Sequence, residues 1–416
     1  MAMDGRTRWI GRRAVCRLAA LLLVLQAALA GCETVGPDGG GRADSVAVQQ
    51  LLDRWAAAVR GHDERAYADA VDPAPEAGAY RDRRRQVYEN LADVPFASWD
   101  YRVARLGGFA PAAGSGHRVA VEARLRYRLA GYDAAPVTVP VRLTAVRRDG
   151  RWYVAGDDTA SGDRQLWEQG RVTVVRGAHG LVLGAGQQAD LLRSVAALVD
   201  AAVPAVGAAW KDGPFDRVVV EMPASLERMG ALLGAPASDY RGIAAVTTGD
   251  GTGTPARIVV NPEAYGALGD FGRRTVLTHE ATHVATRDST PRAMPMWLSE
   301  GFADWVAYRG SRRTPRQVAP ELARSVASSG APRGLPADAD FGFTGEPGRL
   351  ARAYEGGWLA CRMVAERWGE GRLVDFYRAV GAKRGSVERG LSDVLGVSVQ
   401  EFTERWRAYA GKVLRG

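Results

Sequence analysis

The stretch Thr275-Val276-Leu277-Thr278-His279-Glu280-Ala281-Thr282-His283-Val284-Ala285 holds neither glycine nor proline, so it predicts one continuous helix. Residues four apart project from the same helical face, which lets the imidazoles of His279 and His283 reach a single metal ion. Glu280 then stands beside that ion, placed to take a proton from a water whose acidity the metal raises. The plainer alternative is that His279 and His283 are solvated or core histidines on a surface helix.

Downstream, Pro295-Met296-Trp297-Leu298-Ser299-Glu300-Gly301-Phe302-Ala303-Asp304-Trp305 opens a second helix. Glu300 offers the third, oxygen ligand of a catalytic His-His-Glu zinc set, with the fourth position left open. Asp304, one turn further on the same face, is placed to accept a hydrogen bond from the outer nitrogen of a ligand histidine. An exposed helical aspartate is its other reading.

The segments HEATHVAT and MPMWLSEGFADW together resemble the gluzincin zinc metallopeptidases, specifically the peptidase-MA-like branch related to aminopeptidase N and more distantly to thermolysin. The resemblance covers roughly residues 170 to 410, with a weaker tail at Ala353-Tyr354-Glu355-Gly356-Gly357-Trp358. It implies one zinc ion, hydrolysis of peptide bonds, and a small mixed sheet followed by a mainly helical half. In that branch a tyrosine precedes the corresponding helix and stabilises the oxyanion. Tyr354, read as lying just before a helix at 357–368, matches it, against the alternative of a packing tyrosine.

Two departures stand out. Sixteen residues separate His283 from Glu300, a little fewer than in the aminopeptidases, and no Gly-x-Met-Glu-Asn segment precedes the motif helix. Aminopeptidase action is therefore in doubt. In place of that segment stand residues 242–247 and Arg257-Ile258-Val259-Val260. Either is a candidate edge strand for pairing with an extended peptide, or a purely structural sheet edge.

Between 171 and 260, strands (172–175, 218–220, 258–260) alternate with helices (188–203, 225–233), and from Phe271 onward the pattern is nearly all helical. A cleft is expected where the two patterns meet, and the histidine motif lies there.

Upstream, Val48, Leu51, Leu52, Trp55 and Val59 recur at helical spacing, followed by a break at Gly61 and a short helical stretch at 66–71. Then Val119, Val121, Ala123, Leu125, Tyr127 and Leu129 alternate with charged residues, Val137 to Leu143 repeats the pattern, and Asp149-Gly150 turns into Arg151-Trp152-Tyr153-Val154. Helices followed by an antiparallel meander make an α+β domain. Its opening helix and closing DGRWYVAG strand resemble the nuclear-transport-factor-2-like (SnoaL-like) fold, a cone-shaped sheet wrapped on helices. The resemblance implies a cone that holds a ligand or a catalytic carboxylate, or a plain interaction module.

Residues 1–31 read as a leader: Arg6, Arg8, Arg12, Arg13 and Arg17, then an apolar run at 18–30 too short to span a membrane comfortably. It ends in Leu29-Ala30-Gly31-Cys32, which resembles a bacterial lipobox and implies lipidation of Cys32. An ordinary signal peptide or an uncleaved anchor is the alternative. Arg12-Arg13 lacks the apolar pair of the twin-arginine route, so general secretion is expected. With Cys16 in the leader and Cys32 acylated, Cys361 has no disulfide partner and is expected inside a helix.

The chain has 416 residues, 46% of them hydrophobic and 25% charged, a composition suited to folded, soluble domains. Its net charge of +8 falls to +4 without residues 1–31, and no basic block with interleaved aromatics marks a nucleic-acid face. Nucleic acid is excluded as a partner.

The expected organisation is a leader at 1–31, a flexible tether at 32–44, a cone-like α+β domain at 45–165 and a gluzincin-type domain at 170–416. The fold class is α+β. The expected activity is zinc-dependent peptide hydrolysis by an extracytoplasmic protein anchored to the membrane at Cys32. Two rivals are weighed beside it: a silent scaffold that binds an envelope protein through the N-terminal domain, and a zinc amidase acting on cell-wall polymers.

Overall fold

The structure, a computed structural model, describes residues 38–158, 165–211, 215–249, 254–291, 293–342 and 347–415. The leader, Cys32 and residues 33–37 of the expected tether lie outside the described residues.

The N-terminal unit opens with helices α1 (Asp38–Arg60), α2 (Glu64–Asp69) and α3 (Gly78–Asn90). Helix α1 begins seven residues before the folded start expected at Ser45, so 38–44 is helix and not tether. Four strands follow in meander order, all antiparallel: β1 (Phe96–Leu106), β2 (His117–Leu129), β3 (Val137–Arg148) and β4 (Arg151–Asp157). Strand β1 and helix α3 are not among the expected elements, although in β1 Trp99, Tyr101 and Val103 alternate with Asp100 and Arg102. Bulges near Ser98, Arg105 and Thr144 strengthen the local twist and bend the sheet over α1.

The apolar face of α1 (Val48, Leu51, Leu52, Trp55) meets Trp99, Tyr101, Leu125, Tyr127 and Trp152 of the sheet. Each such aromatic removes ~150–250 Å² from water, which at ~25 cal/mol/Å² makes these rings the main stabilising term of the unit. They also occupy most of the cone: a cavity of 130 Å³ remains, walled by Trp55, Tyr67, Trp99, Tyr101 and Trp167. A fully buried carboxylate of the unit, Asp72, is held at 2.7 and 3.0 Å by Arg148 and at 3.3 Å by Arg118. Burial pushes that carboxyl up, and the Arg148 hydrogen bonds outweigh it and keep it ionised. It is a structural ion cluster.

A short helix, α4 (Leu166–Gln169), leads into a five-stranded mixed sheet of β5 (Val172–Arg176), β6 (Gly180–Ala185), β7 (Val218–Met222), β8 (Ala245–Thr247) and β9 (Ile258–Val260), ordered β5-β6-β7-β9-β8. Strands β6, β7 and β9 are parallel, while β5 and β8 are antiparallel edges. Helix α5 (Ala189–Trp210) connects β6 to β7 and α6 (Leu226–Leu233) connects β7 to β8, while α7 (Pro262–Gly266) leads from β9 into the helical half. Although α5 is apolar and long enough to cross a membrane, its face of Leu192, Val195, Val199, Val203 and Val206 is buried in the core.

The rest of the chain is helical: α8 (Asp270–Thr286), α9 (Met296–Tyr308), α10 (Pro315–Val318), α11 (Pro320–Ser329), α12 (Pro347–Trp368), α13 (Glu370–Gly381), α14 (Val387–Gly390) and α15 (Val399–Arg415). The α+β class is as expected: an antiparallel N-terminal unit, a small mixed sheet and a mainly helical C-terminal half.

The expected break between 165 and 170 is bridged by packing. Leu181, Leu183 and Val219 of the mixed sheet belong to the N-terminal core, whereas Val182, Val218 and Val220 face the helical core. Strands buried on both faces read as continuous apolar runs, which is what VVVEM and GLVLGA are. Across the same junction Arg257 of the β8–β9 hairpin forms a bidentate ion pair with Asp133 of the β2–β3 turn, at 2.8 and 2.7 Å. Both residues are buried.

Candidate metal centre

Helix α8 is held by its own threonines as well as by its backbone. The hydroxyls of Thr275, Thr278 and Thr282 donate to carbonyls four residues back, so these polar side chains are satisfied where the helix is buried. Leu277 and Ala281, both fully buried, turn one face of α8 into the helical core. The opposite alignment leaves His279 and His283 on the face toward α9.

Helix α9 starts after Pro295, with the Asp338 carboxylate accepting from the Met296 amide at 2.9 Å. Its Leu298, Phe302 and Ala303 are fully buried, which aims Glu300 at α8. The three expected ligand atoms converge: His279 Nε2 lies 3.0 Å from His283 Nε2, and Glu300 Oε2 lies 3.2 Å and 3.4 Å from the two nitrogens. A tetrahedral zinc ion with bonds of about 2.0–2.1 Å has its ligand atoms roughly 3.3–3.4 Å apart. The triangle fits such an ion, and among the described residues it is the one group of His, Cys, Asp and Glu that does so.

Asp304 lies beside the triangle, on the outer side of His279. Its Oδ1 lies 2.9 Å from His279 Nδ1, so Nδ1–H donates to the carboxylate and Nε2 is the nitrogen that faces the triangle. The electrostatics favour positive charge at this point. Burial opposes a charged His279, but Asp304 and Glu300 override it and hold the imidazole well above its ordinary range. Burial likewise pushes the Glu300 carboxyl up, and His283 and His279 outweigh it and hold it well below the usual carboxylate range. In a protein interior, two carboxylates this close stabilise positive charge here, whether it is carried by the imidazole or by an ion among the three donors.

Glu280 takes no place in the triangle. It is buried, and the Thr247 hydroxyl on β8 donates to its Oε2 at 2.6 Å. Nothing in the local sequence signals this contact, because Thr247 lies 33 residues upstream.

Tyr354 reaches the site from a different position than expected. Helix α12 begins ten residues before 357, so Tyr354 lies within it and not ahead of it. Its ring is 6.4 Å from that of His279 and packs edge-on against Phe341. Burial, together with Glu300, Asp304 and Glu280, drives its pKa well above the ordinary phenol value. Helix α12 passes unbroken through Gly356-Gly357 because α9 crosses there. A Cβ on Gly357 would meet the Trp297 carbonyl oxygen at 2.6 Å, and one on Gly301 would meet that of Gly357 at 2.3 Å. Cys361, on the same helix, is fully buried, and burial raises its thiol pKa.

The triangle and Glu280 open onto a cleft of 750 Å³ between β8 and helices α8 and α9, lined in part by Ile243, Val246, Arg287, Met294 and Met296. Of the two stretches weighed as the cleft-side edge, Ala245–Thr247 is the edge strand. Ile258–Val260 is internal, between β7 and β8. The Thr248 amide donates to the Arg257 carbonyl and the Asn261 amide to that of Ala244. Residues 244, 246 and 248 therefore turn their backbone groups toward β9, and Ala245 and Thr247 turn theirs outward along the open edge.

No protein-family model matches the chain, and no curated protein matches it. Among solved structures it is similar to an M1 zinc metallopeptidase mutant from Deinococcus radiodurans bound to a Tyr-Ser-Ala substrate. That likeness has 12% identity and a TM-score of 0.32, and covers 64% of this chain and 58% of that one. It is also similar to a SEC-C motif containing protein from Rhodopseudomonas palustris, at 19% identity and a TM-score of 0.20, covering 27% of this chain and 79% of that one. Neither likeness carries the reading of the site, which stands on the residues of this chain.

Proposed function

We propose that the protein is a zinc-dependent peptidase, held by a lipid on Cys32 at the extracytoplasmic face of a bacterial membrane. The observation that carries the catalytic part is the convergence of His279, His283 and Glu300 at zinc-ligand spacing, with a buried carboxylate, Glu280, beside them and outside the ligand set.

Zinc held by His279, His283 and Glu300 would supply Lewis-acid polarisation of a scissile carbonyl and acidify an adjacent water. Glu280 accepts the proton of the attacking water and returns it to the departing amine nitrogen, so one carboxylate serves as base and then as acid. Tyr354 donates its hydroxyl hydrogen bond to the oxygen that gains negative charge. The outward N–H and C=O groups of Ala245 and Thr247 pair with an extended peptide, which sets the scissile bond along the cleft. Lacking an exopeptidase segment and having an open cleft, the site suits internal cleavage better than removal of a terminal residue.

The test is zinc content per chain and hydrolysis of a peptide library by the full-length protein, its Glu280→Gln variant and its His283→Ala variant. The reading expects one zinc per chain, activity abolished by E280Q with zinc retained, and zinc lost from H283A. Zinc binding with no E280Q-sensitive cleavage of peptides would favour a scaffold for an envelope protein. Cleavage of cell-wall amides alone would favour the amidase. The anchor is tested separately by labelled palmitate, whose incorporation is expected in the wild type and absent from Cys32→Ala.

A further inference from the structure

We propose that Thr247 is a positioning residue for Glu280, and that it ties alignment of this carboxylate to occupation of the cleft. The inference rests on the peptidase reading above and concerns how its base is held.

Three observations carry it. First, the Thr247 hydroxyl lies 2.6 Å from Glu280 Oε2 and 3.1 Å from the carbonyl oxygen of the same residue. A hydroxyl has one proton, and the shorter contact to a carboxylate takes it. Oε2 is thereby committed, and Oε1 has no protein donor among the described residues. Second, the contact is not between helix neighbours. It crosses from the edge strand β8 to helix α8, so the rotamer of the carboxylate is referred to the strand and not only to its own helix. Third, Thr247 is one of the two β8 residues whose backbone groups face the open edge. The same residue thus offers its main chain to an extended ligand and its side chain to the base.

The strand is itself pinned. The Thr248 hydroxyl accepts from the Arg257 amide at 3.1 Å, and Arg257 is locked to Asp133 by the buried bidentate pair. This gives Thr247 a fixed origin. A side chain held within a fraction of an ångström by a rigid element is what proton transfer to a defined oxygen needs.

The experiment compares Thr247→Val and Thr247→Ser in the full-length, zinc-loaded protein, with kcat and KM measured on a peptide that the wild type cleaves. Valine keeps the shape and strand preference of threonine and removes only the hydroxyl, while serine keeps the hydroxyl. T247V is expected to lower kcat on the order of 10–100-fold with KM changed by less than about twofold. T247S is expected to restore most of kcat, and both should retain one zinc per chain. Crystal structures of the two variants supply a readout that needs no turnover: the Glu280 carboxylate should turn away in T247V and stay in place in T247S. A T247V enzyme with wild-type kcat, a loss confined to KM, a serine variant as impaired as valine, or zinc lost from both would overturn the proposal. If the wild type cleaves no peptide, the peptidase reading fails, and the orientation of Glu280 in the T247V crystal still decides the role of Thr247.

Discussion

His279 Nδ1 and Asp304 Oδ1 lie 2.9 Å apart across the α8–α9 contact, which ties the ring plane of this candidate ligand to the neighbouring helix. Outer partners of this kind typically contribute 10–100-fold in metal affinity. Asp304→Ala is therefore expected to weaken zinc binding by about that factor in a chelator competition. Asp304→Asn keeps an acceptor oxygen and should lose less.

The crossing of α9 and α12 depends on glycine. A methyl group on Gly301 would sit 2.3 Å from the Gly357 carbonyl oxygen and 2.4 Å from its carbon, both backbone atoms that no rotamer change can move. Gly301→Ala should destabilise the protein by about 1–3 kcal/mol or more in denaturant unfolding, as overpacking does. It should also lower zinc affinity, because Glu300 is the preceding residue. Gly371→Ala, with nothing within 4 Å of the new methyl, should be neutral or slightly stabilising.

The Asp133–Arg257 pair joins the two units inside the protein. Asp133 also accepts from the Leu129 amide at 2.7 Å, so its removal takes the acceptor from a buried amide and leaves the buried Arg257 only Glu221, at 3.9 Å, as a counter-ion. Asp133→Ala should cost about 3–5 kcal/mol in the same unfolding assay. For the same reason, and because Leu181, Leu183 and Val219 would be bared, a fragment of residues 170–416 is expected to be insoluble or molten by near-ultraviolet circular dichroism.

Glu355 predicts a pH dependence of stability. Its carboxylate accepts from the Glu321 and Leu322 amides at the start of α11, but burial dominates and raises its pKa to about 7. The folded state then holds a proton that the unfolded chain releases from the ordinary glutamate value of 4.5 upward. This group's contribution to stability is fully present below that value and is lost as pH rises toward 7. Glu355→Gln should gain stability relative to wild type across that window, measured as the difference in denaturation midpoint between pH 4.5 and pH 8. An unchanged difference would count against the raised value.

Much of the site was legible in the chain because its constraint is local. His279, Glu280 and His283 occupy one helix, where i and i+4 are neighbours whatever the tertiary structure, and Glu300 and Asp304 repeat that spacing on the next helix. The strands of the N-terminal unit declared themselves through strict alternation over β2 and β3. Tyr354 was placed near the site but outside its helix, since Gly356-Gly357 looks like a helix start. In the fold both glycines are interior to α12, and Gly357 permits the close approach of α9.

What sequence alone determined is therefore the α+β class, the broad succession of a helix-and-meander unit, a mixed segment and a helical half, and the His279-Glu280-His283 and Glu300-Asp304 spacings, each set by short-range periodicity and side-chain chemistry. Only the tertiary structure decided that the donors meet at ligand spacing, that β8 and not β9 is the open edge, and that Thr247 holds Glu280. It also decided that Asp133 neutralises Arg257 across 124 residues of chain. Contacts of that range depend on how elements pack, and packing leaves no periodic trace in the segments that it joins.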